Sequence, residues 1–435
     1  MRRLFGASFD AASLVLLWIV ARLPRQPARR LVWGPIAVIN NKYWSAAMRE
    51  AGWDSVTLVE HVATINRRED WDLLFDDVVP RWIPSRLRAR VGPVAAAAYV
   101  LRHATVLHCP FSGGPLGQTR LWRFEARLLA RAGVRTVVIP FGGDVAMPSR
   151  IADPLVRTAY MASYPDLARF ESRTVARVEY WSRHADVIVV GFTLDGLPRW
   201  DVPVGNMIAI DVEAWQLLPT PPTGGTIRIL HTPNHRAVKG TDFLVAAVEQ
   251  LRREGLDVEL VLLEGVPNEG VRAELAAVHI VADQFILPGY GLAAIEAMAS
   301  GRPVLCNLEH RDATRLFDSL SFLGECPVVS TTPDSLLDDL RVLVTRDDLR
   351  GELGAAGRAY VEKYHSYAAA QHLFGSLYRF LLDGEAVDLL SLFDSRSSDY
   401  ATATPRVEHP LSDHRLPHGA APHARGGRTA GDPLP

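Results

Sequence analysis

Cysteine is scarce: Cys109, Cys306 and Cys326 are the three in 435 residues, far apart, with no CxxC and no Cys/His pairing. That excludes a disulfide framework and a zinc-finger-type site, and it fits a reducing compartment. An excess of one charge is also missing. Lys and Arg number 47 against 49 Asp and Glu, a net of −2, so no overall basic field points to nucleic acid. No apolar run reaches the ~18–20 residues of a membrane span. After the first expected strand the chain reads GPIAVINN, not GxGxxG, and there is no Walker A lysine and no GxSxG nucleophile elbow. NAD-dependent and P-loop chemistry are thereby disfavoured.

What remains is ordinary for a folded protein: 48% hydrophobic and 22% charged residues. At roughly 100–200 residues per domain, the length predicts two or three domains. The two ends depart from the middle. Residues 1–29 form a basic and apolar segment in which 11–21 (AASLVLLWIVA) is almost wholly apolar, with Arg2 and Arg3 before it and Arg22, Arg25, Arg29 and Arg30 after it. Three readings stand: a helix packed on the protein, an interfacial helix on an anionic membrane, or a signal. Asp10 and the lack of a small-x-small site after Leu23-Pro24 count against the last. Residues 395–435 carry no hydrophobic period and no aromatic residue beyond Tyr400, which predicts a disordered tail. Its His409, His414, His418 and His423 are irregularly spaced and read as incidental.

Between the ends, short β-rich runs alternate with helical patterns, the signature of parallel α/β sheets. The expectation is a first Rossmann-like domain over 30–216, a Pro/Gly-rich linker at 217–225 (LLPTPPTGG), a second Rossmann-like domain over 226–365, and a helix at 366–394 crossing back to the first. Within these, 119–133 reads as one amphipathic helix and 282–288 as a strand. Two such domains imply a cleft at the carboxyl ends of their strands.

Two stretches carry chemistry. Arg236 and Lys239 sit three apart in a loop, with Gly240 before a helix, an arrangement suited to a diphosphate. Further on, Gly289 and Gly291 make a turn before a helix that begins at Leu292 and carries Glu296, a polar residue among LAAI and AMA. On the other half, His108 and Asp144 fall at strand ends and Asn40 and Asn41 follow the first strand's loop; a core histidine, a helix cap and turn chemistry are the plainer readings. Asp70-Trp71-Asp72 matches a metal-binding DxD by letter, but EDWDLLFDD reads better as an amphipathic helical face.

HRAVKGTDFL and GYGLAAIEAMASGRPV, with LRGELGAAGRAYVEKYHSYAAA beyond them, make 226–370 resemble the donor-binding domain of retaining GT-B glycosyltransferases of family 4. The resemblance implies an α/β GT-B fold, two Rossmann-like domains facing across a cleft. It implies transfer of a sugar from a nucleoside-diphosphate sugar to an acceptor hydroxyl, with retention and with no metal or other cofactor. Arg236 and Lys239 would then hold the diphosphate and Glu296 the ribose. Asn234, Gly289, Tyr290, Gly291 and Leu292 would line the donor, and His108 would contact the sugar. Asn40, Asn41 and Asp144 are the acceptor-side candidates. One position departs: Pro288 stands where the family has a glutamate, and Glu264 is the candidate acid to substitute for it. The acceptor would be a cell-surface glycan, a glycolipid or a natural product. The site of action would be cytoplasmic, with peripheral contact at the inner face of the membrane through residues 1–30. A non-catalytic homologue acting as a partner protein, and a sugar-nucleotide epimerase on the same fold, remain as alternatives.

Overall fold

The computed structural model describes residues 2–24, 29–62, 66–192, 196–222, 224–266, 268–309 and 312–416. Arg25, His418 and His423 lie outside the described residues. The first half forms a parallel sheet in the order β3-β2-β1-β4-β5-β6-β7. Its strands are β1 (Arg30–Trp33), β2 (Asp54–Val59), β3 (Leu73–Leu74), β4 (Ala104–Cys109), β5 (Arg135–Val138), β6 (Val187–Gly191) and β7 (Val202–Gly205). Helices α1 (Arg2–Val20), α2 (Asn40–Glu50), α3 (Ser85–His103), α4 (Glu125–Ala132), α5 (Pro154–Ser163) and α6 (Leu167–His184) accompany them. The second half is a parallel sheet in the order β12-β11-β10-β8-β9, made of β8 (Ile227–His231), β9 (Val258–Leu262), β10 (Ile280–Ala282), β11 (Val304–Cys306) and β12 (Val329–Ser330). Its helices are α7 (Arg236–Lys239), α8 (Thr241–Arg253), α9 (Asn268–Leu275), α10 (Leu292–Ala299), α11 (Asp312–Leu320), α12 (Leu336–Thr345) and α13 (Asp347–Tyr364). Central strands such as Val187–Val190 are apolar without alternation because helices cover both faces of a parallel sheet.

The chain leaves the first sheet earlier than the Pro-rich stretch suggests. Asn206 already donates to the Tyr290 carbonyl, and the Ile210 amide donates to that of His365. Helix α14 (Tyr367–Tyr378), capped by Ser366 accepting from the Ala369 amide, then returns to the first half and packs on α2. Gln371 donates to the Ala47 carbonyl there.

Three expectations need correction. The strand at 282–288 stops at Ala282, because Asp283 turns aside to bind Lys239 and the Gly291 amide. The helix at 119–133 spans only Glu125–Ala132, since the buried Glu125 carboxylate is engaged by the Gly114 and Leu116 amides. The tail is not disordered over 395–416. A short helix, Asp399–Thr402, and buried Val407 and Leu416 pack it down. It also caps a buried ion pair: Lys363 donates to Glu325 and to the Thr404 and Pro405 carbonyls, and the Val407 amide donates to Glu325.

Candidate functional site

In each sheet the strand order reverses once, between β1 and β4 and between β8 and β10, and the loops leaving those strand pairs diverge to open a crevice. The two halves turn their loops toward each other around a cavity of about 490 Å³. Asn40, Trp44, Phe141, Tyr160, Tyr164 and Phe192 line it from the first half; Asn234, His235, Lys239, Gln284, Gly291 and Leu292 line it from the second. A further link across the cleft is the Tyr164 ring against His235, centroids 4.4 Å apart.

Lys239 ends α7, where Gly240 adopts φ +75° and lets α8 start at once. Its Nζ lies 2.5 Å from Asp283 Oδ1, while Asp283 Oδ2 accepts from the Gly291 amide at 2.7 Å. The pair is nearly enclosed, with 12% of the lysine side chain exposed and 2% of the aspartate. Arg236 turns away from the cavity and makes a two-pronged, solvent-exposed pair with Glu264, at 2.8 and 2.7 Å. The guanidinium holds the Glu264 pKa below the usual carboxylate range. Neither Arg236 nor Glu264 lines the cavity.

Glu296 is buried on α10 outside the cavity lining and accepts from Asn268 Nδ2 at 2.7 Å. Burial lifts its pKa to about 7, against the pull of Asn268 and Arg272. Tyr290 points inward: its hydroxyl bonds Tyr360 and His365, and its carbonyl takes the Asn206 amide. Gly289 has φ +96°, and a Cβ there would meet the Phe192 ring at 2.2 Å, so the turn and the approach of the first half both demand glycine. The Gly291 amide, expected to face the donor, is held by Asp283.

The first half places its candidates differently from expectation. His108 is all but sealed and touches only a small cavity of about 30 Å³ beside the main one. Its ring stacks on Trp33 at 3.5 Å, Nδ1 contacts the Val32 carbonyl and Nε2 the Tyr378 hydroxyl, so both nitrogens are engaged. Burial drops its pKa to about 3, and a ring so held is a poor proton carrier. Asp144 accepts from the Phe111, Phe141 and Gly142 amides and so fixes the loop that lines the cavity. Burial raises its pKa to about 6 against those amides. Asn41 donates to the Ile36 carbonyl, tightening the β1 loop, and Asn40 reaches the cavity. Asp70 sits in a 3-10 turn paired with Lys42, and Asp72 accepts from the Thr57 amide, so the DWD stretch is a fastening between elements and not a helical face. Among the described residues no cluster of three metal-ligating side chains occurs.

Sequence reasoning missed Asp283, His235, Tyr160 and Tyr164. Asp283 had a signal, a charged residue closing an apolar strand; the tyrosines, in an ordinary helical pattern, had none.

No protein-family model matches the sequence. Among solved structures, the chain is similar to sucrose-phosphate synthase from Thermosynechococcus elongatus, with TM-score 0.54 and 13% identity, over 82% of this chain and 100% of that one. A glycosyltransferase from Rickettsia africae gives TM-score 0.51 and 10% identity over 83% and 100%. An alpha-glucosyltransferase solved with UDP and a DNA 13-mer gives 0.50 and 10% over 81% and 99%. At these identities the likeness carries the fold, and that fold is GT-B: two parallel α/β domains facing each other, as in these glycosyltransferases.

Proposed function

We propose that the chain is a glycosyltransferase that moves a sugar from a nucleoside-diphosphate sugar to an acceptor hydroxyl, with the diphosphate bound beside Lys239 and the start of α10. The observation that carries this reading is the group Lys239, Asp283 and Gly291: a cation and a backbone amide at the mouth of a switch-point cavity, bridged by the two oxygens of one carboxylate. Two phosphate oxygens make the same demands on the same donors. Glycosyltransferases of this fold supply the prior, one of them solved with UDP.

The chemistry follows from the leaving group. The bond from the anomeric carbon to the diphosphate breaks, the acceptor oxygen bonds that carbon, and the acceptor proton leaves on a phosphate oxygen. Lys239 stabilises the charge that develops on the departing phosphate, so the reading requires no divalent metal. Arg236 joins it only by exchanging Glu264, a surface partner, for the phosphate. Retention, and Glu296 as the ribose acceptor, rest on the sequence resemblance. Asn234, Gln284 and Leu292 complete the donor side, and the acceptor enters past Asn40, Tyr160 and Tyr164.

A second reading, a non-catalytic protein on the same fold, is favoured by the same carboxylates, because Asp283 and Glu264 neutralise both expected phosphate-binding cations. Calorimetric titration with UDP, GDP, ADP, CDP and dTDP separates the two. Selective binding of one nucleotide, lost in Lys239→Ala, is the expected result. Failure of all five to bind would leave the partner-protein reading.

A further inference from the structure

Helix α1 has two unlike faces. Ser13, Leu17 and Ala21 are buried, and the helix lies against α3, with the Arg90 guanidinium over the Phe9 ring at 4.2 Å. On the opposite side stand Val15, Leu16 and Ile19, exposed by 61%, 51% and 52%, followed in the turn after the helix by Leu23 at 46%. At 3.6 residues per turn, positions 12, 15, 16, 19 and 23 fall within an arc of about 100°. No charged side chain interrupts the stretch from Ala11 to Ala21, and exposed Arg22 follows it.

A protein whose net charge is −2 concentrates positive charge here. In sequence, residues 2–24 and 81–103, which include α1 and α3, contain eight arginines (Arg2, Arg3, Arg22, Arg81, Arg86, Arg88, Arg90 and Arg102) and a single acid, Asp10, while Arg88 is paired with Asp76 of the turn that packs on α3. Exposed Trp82 and Leu87 add large apolar side chains at the start of α3. Among the described residues no helix is long and apolar enough to cross a membrane. Four aliphatic side chains also fall far short of the ~800 Å² per partner, some 20–30 residues, of a stable protein interface.

We propose that the outer face of α1 is a docking surface for an anionic lipid bilayer: Val15, Leu16, Ile19 and Leu23 enter the acyl boundary while the surrounding arginines meet the headgroups. A narrow aliphatic stripe with a wide cationic surround is the form of an interfacial helix, for which apolar burial and charge attraction act together. This docking is independent of what the cleft binds.

The test is flotation of the full chain with vesicles of phosphatidylcholine alone and of equimolar phosphatidylcholine and phosphatidylglycerol. The chain is expected to float with the anionic vesicles, to do so at least tenfold less with the neutral ones, and to be released by high salt. Leu16→Glu with Ile19→Glu should abolish flotation without changing the melting temperature, because neither side chain packs inside. The uncharged pair Leu16→Ser and Ile19→Ser should weaken it with the folded state intact. Absence of flotation by the unaltered chain, or flotation of both variants at the level of the unaltered chain, overturns the proposal. So does a dimer in light scattering that Leu16→Glu with Ile19→Glu converts to monomer, since a second copy would then own this face.

Discussion

The two halves share a topology and use it in opposite ways. At the switch point of the first sheet the chain places aromatic bulk. Trp33 stacks on His108, Phe374 of α14 meets Trp33 edge-on at 4.8 Å, and the Tyr378 hydroxyl closes the group. At the switch point of the second sheet it keeps charge: Lys239, Asp283 and a helix-start amide. The first crevice is backed by the returning helix, narrows to about 30 Å³ and serves as a joint; the second is left polar and open to the larger cavity. The same fold rule thus marks where a site is available, while the side chains decide whether that place becomes a binding site or a fastening.

The sharpest way to break this comparison is His108→Ala. If the first crevice is a joint, losing the stacked ring and leaving Tyr378 without its partner lowers stability by about 3 kcal/mol, read by denaturant unfolding, with nucleotide affinity unchanged. A loss of turnover at full stability would return His108 to the reaction. Next is deletion of 395–435, which strips the cap from the buried Lys363–Glu325 pair and should cost about 2 kcal/mol in the same assay. Lys239→Ala comes third, weakening nucleoside diphosphate binding at least tenfold, about 1.4 kcal/mol, by calorimetry.

Glu296 offers a pH test. Its folded pKa of about 7 lies above its ordinary value, so the folded state holds the proton more tightly, and stability falls as pH rises from about 4.5 through about 7. Glu296→Gln removes that slope. The variant should melt with the original protein near pH 5 and above it at pH 8, by on the order of 1 kcal/mol. Equal melting at both values would mean the carboxylate is ionised in the fold. The smallest effect is expected of Asp283→Asn. Freeing Lys239 from its counter-ion should tighten diphosphate binding about threefold, under 1 kcal/mol; weaker binding would make Asp283 a positioning group for the lysine.

The alternation of strands and helices was legible because parallel sheets write near-continuous apolar runs between helical periods. Two loops of the second half that border the cavity were legible as well, since Lys239 and Gly291 are close in sequence to the strands that precede them. What could not be read depends on partners distant in sequence. A strand-end histidine looks alike whether it faces a cleft or stacks on Trp33, and only α14, some 270 positions on, decides for His108. The segment after Ser395 has too few apolar residues to fold alone, yet Val407 and Leu416 find places on a surface built by other segments. Arg236 and Lys239 looked equivalent by spacing, and their separation comes from Glu264 and Asp283, each at the end of another strand.

The return of α14 also bears on how the chain is made. Phe374 and Tyr378 complete the aromatic core of a sheet whose last strand ends at Gly205. During synthesis at about 5–20 residues per second, those strands are finished roughly 10–35 s before their final core residues leave the ribosome. Through that interval the nascent first half carries an open aromatic slot beside Trp33. The order of translation therefore leaves the first domain open until long after its own strands are made.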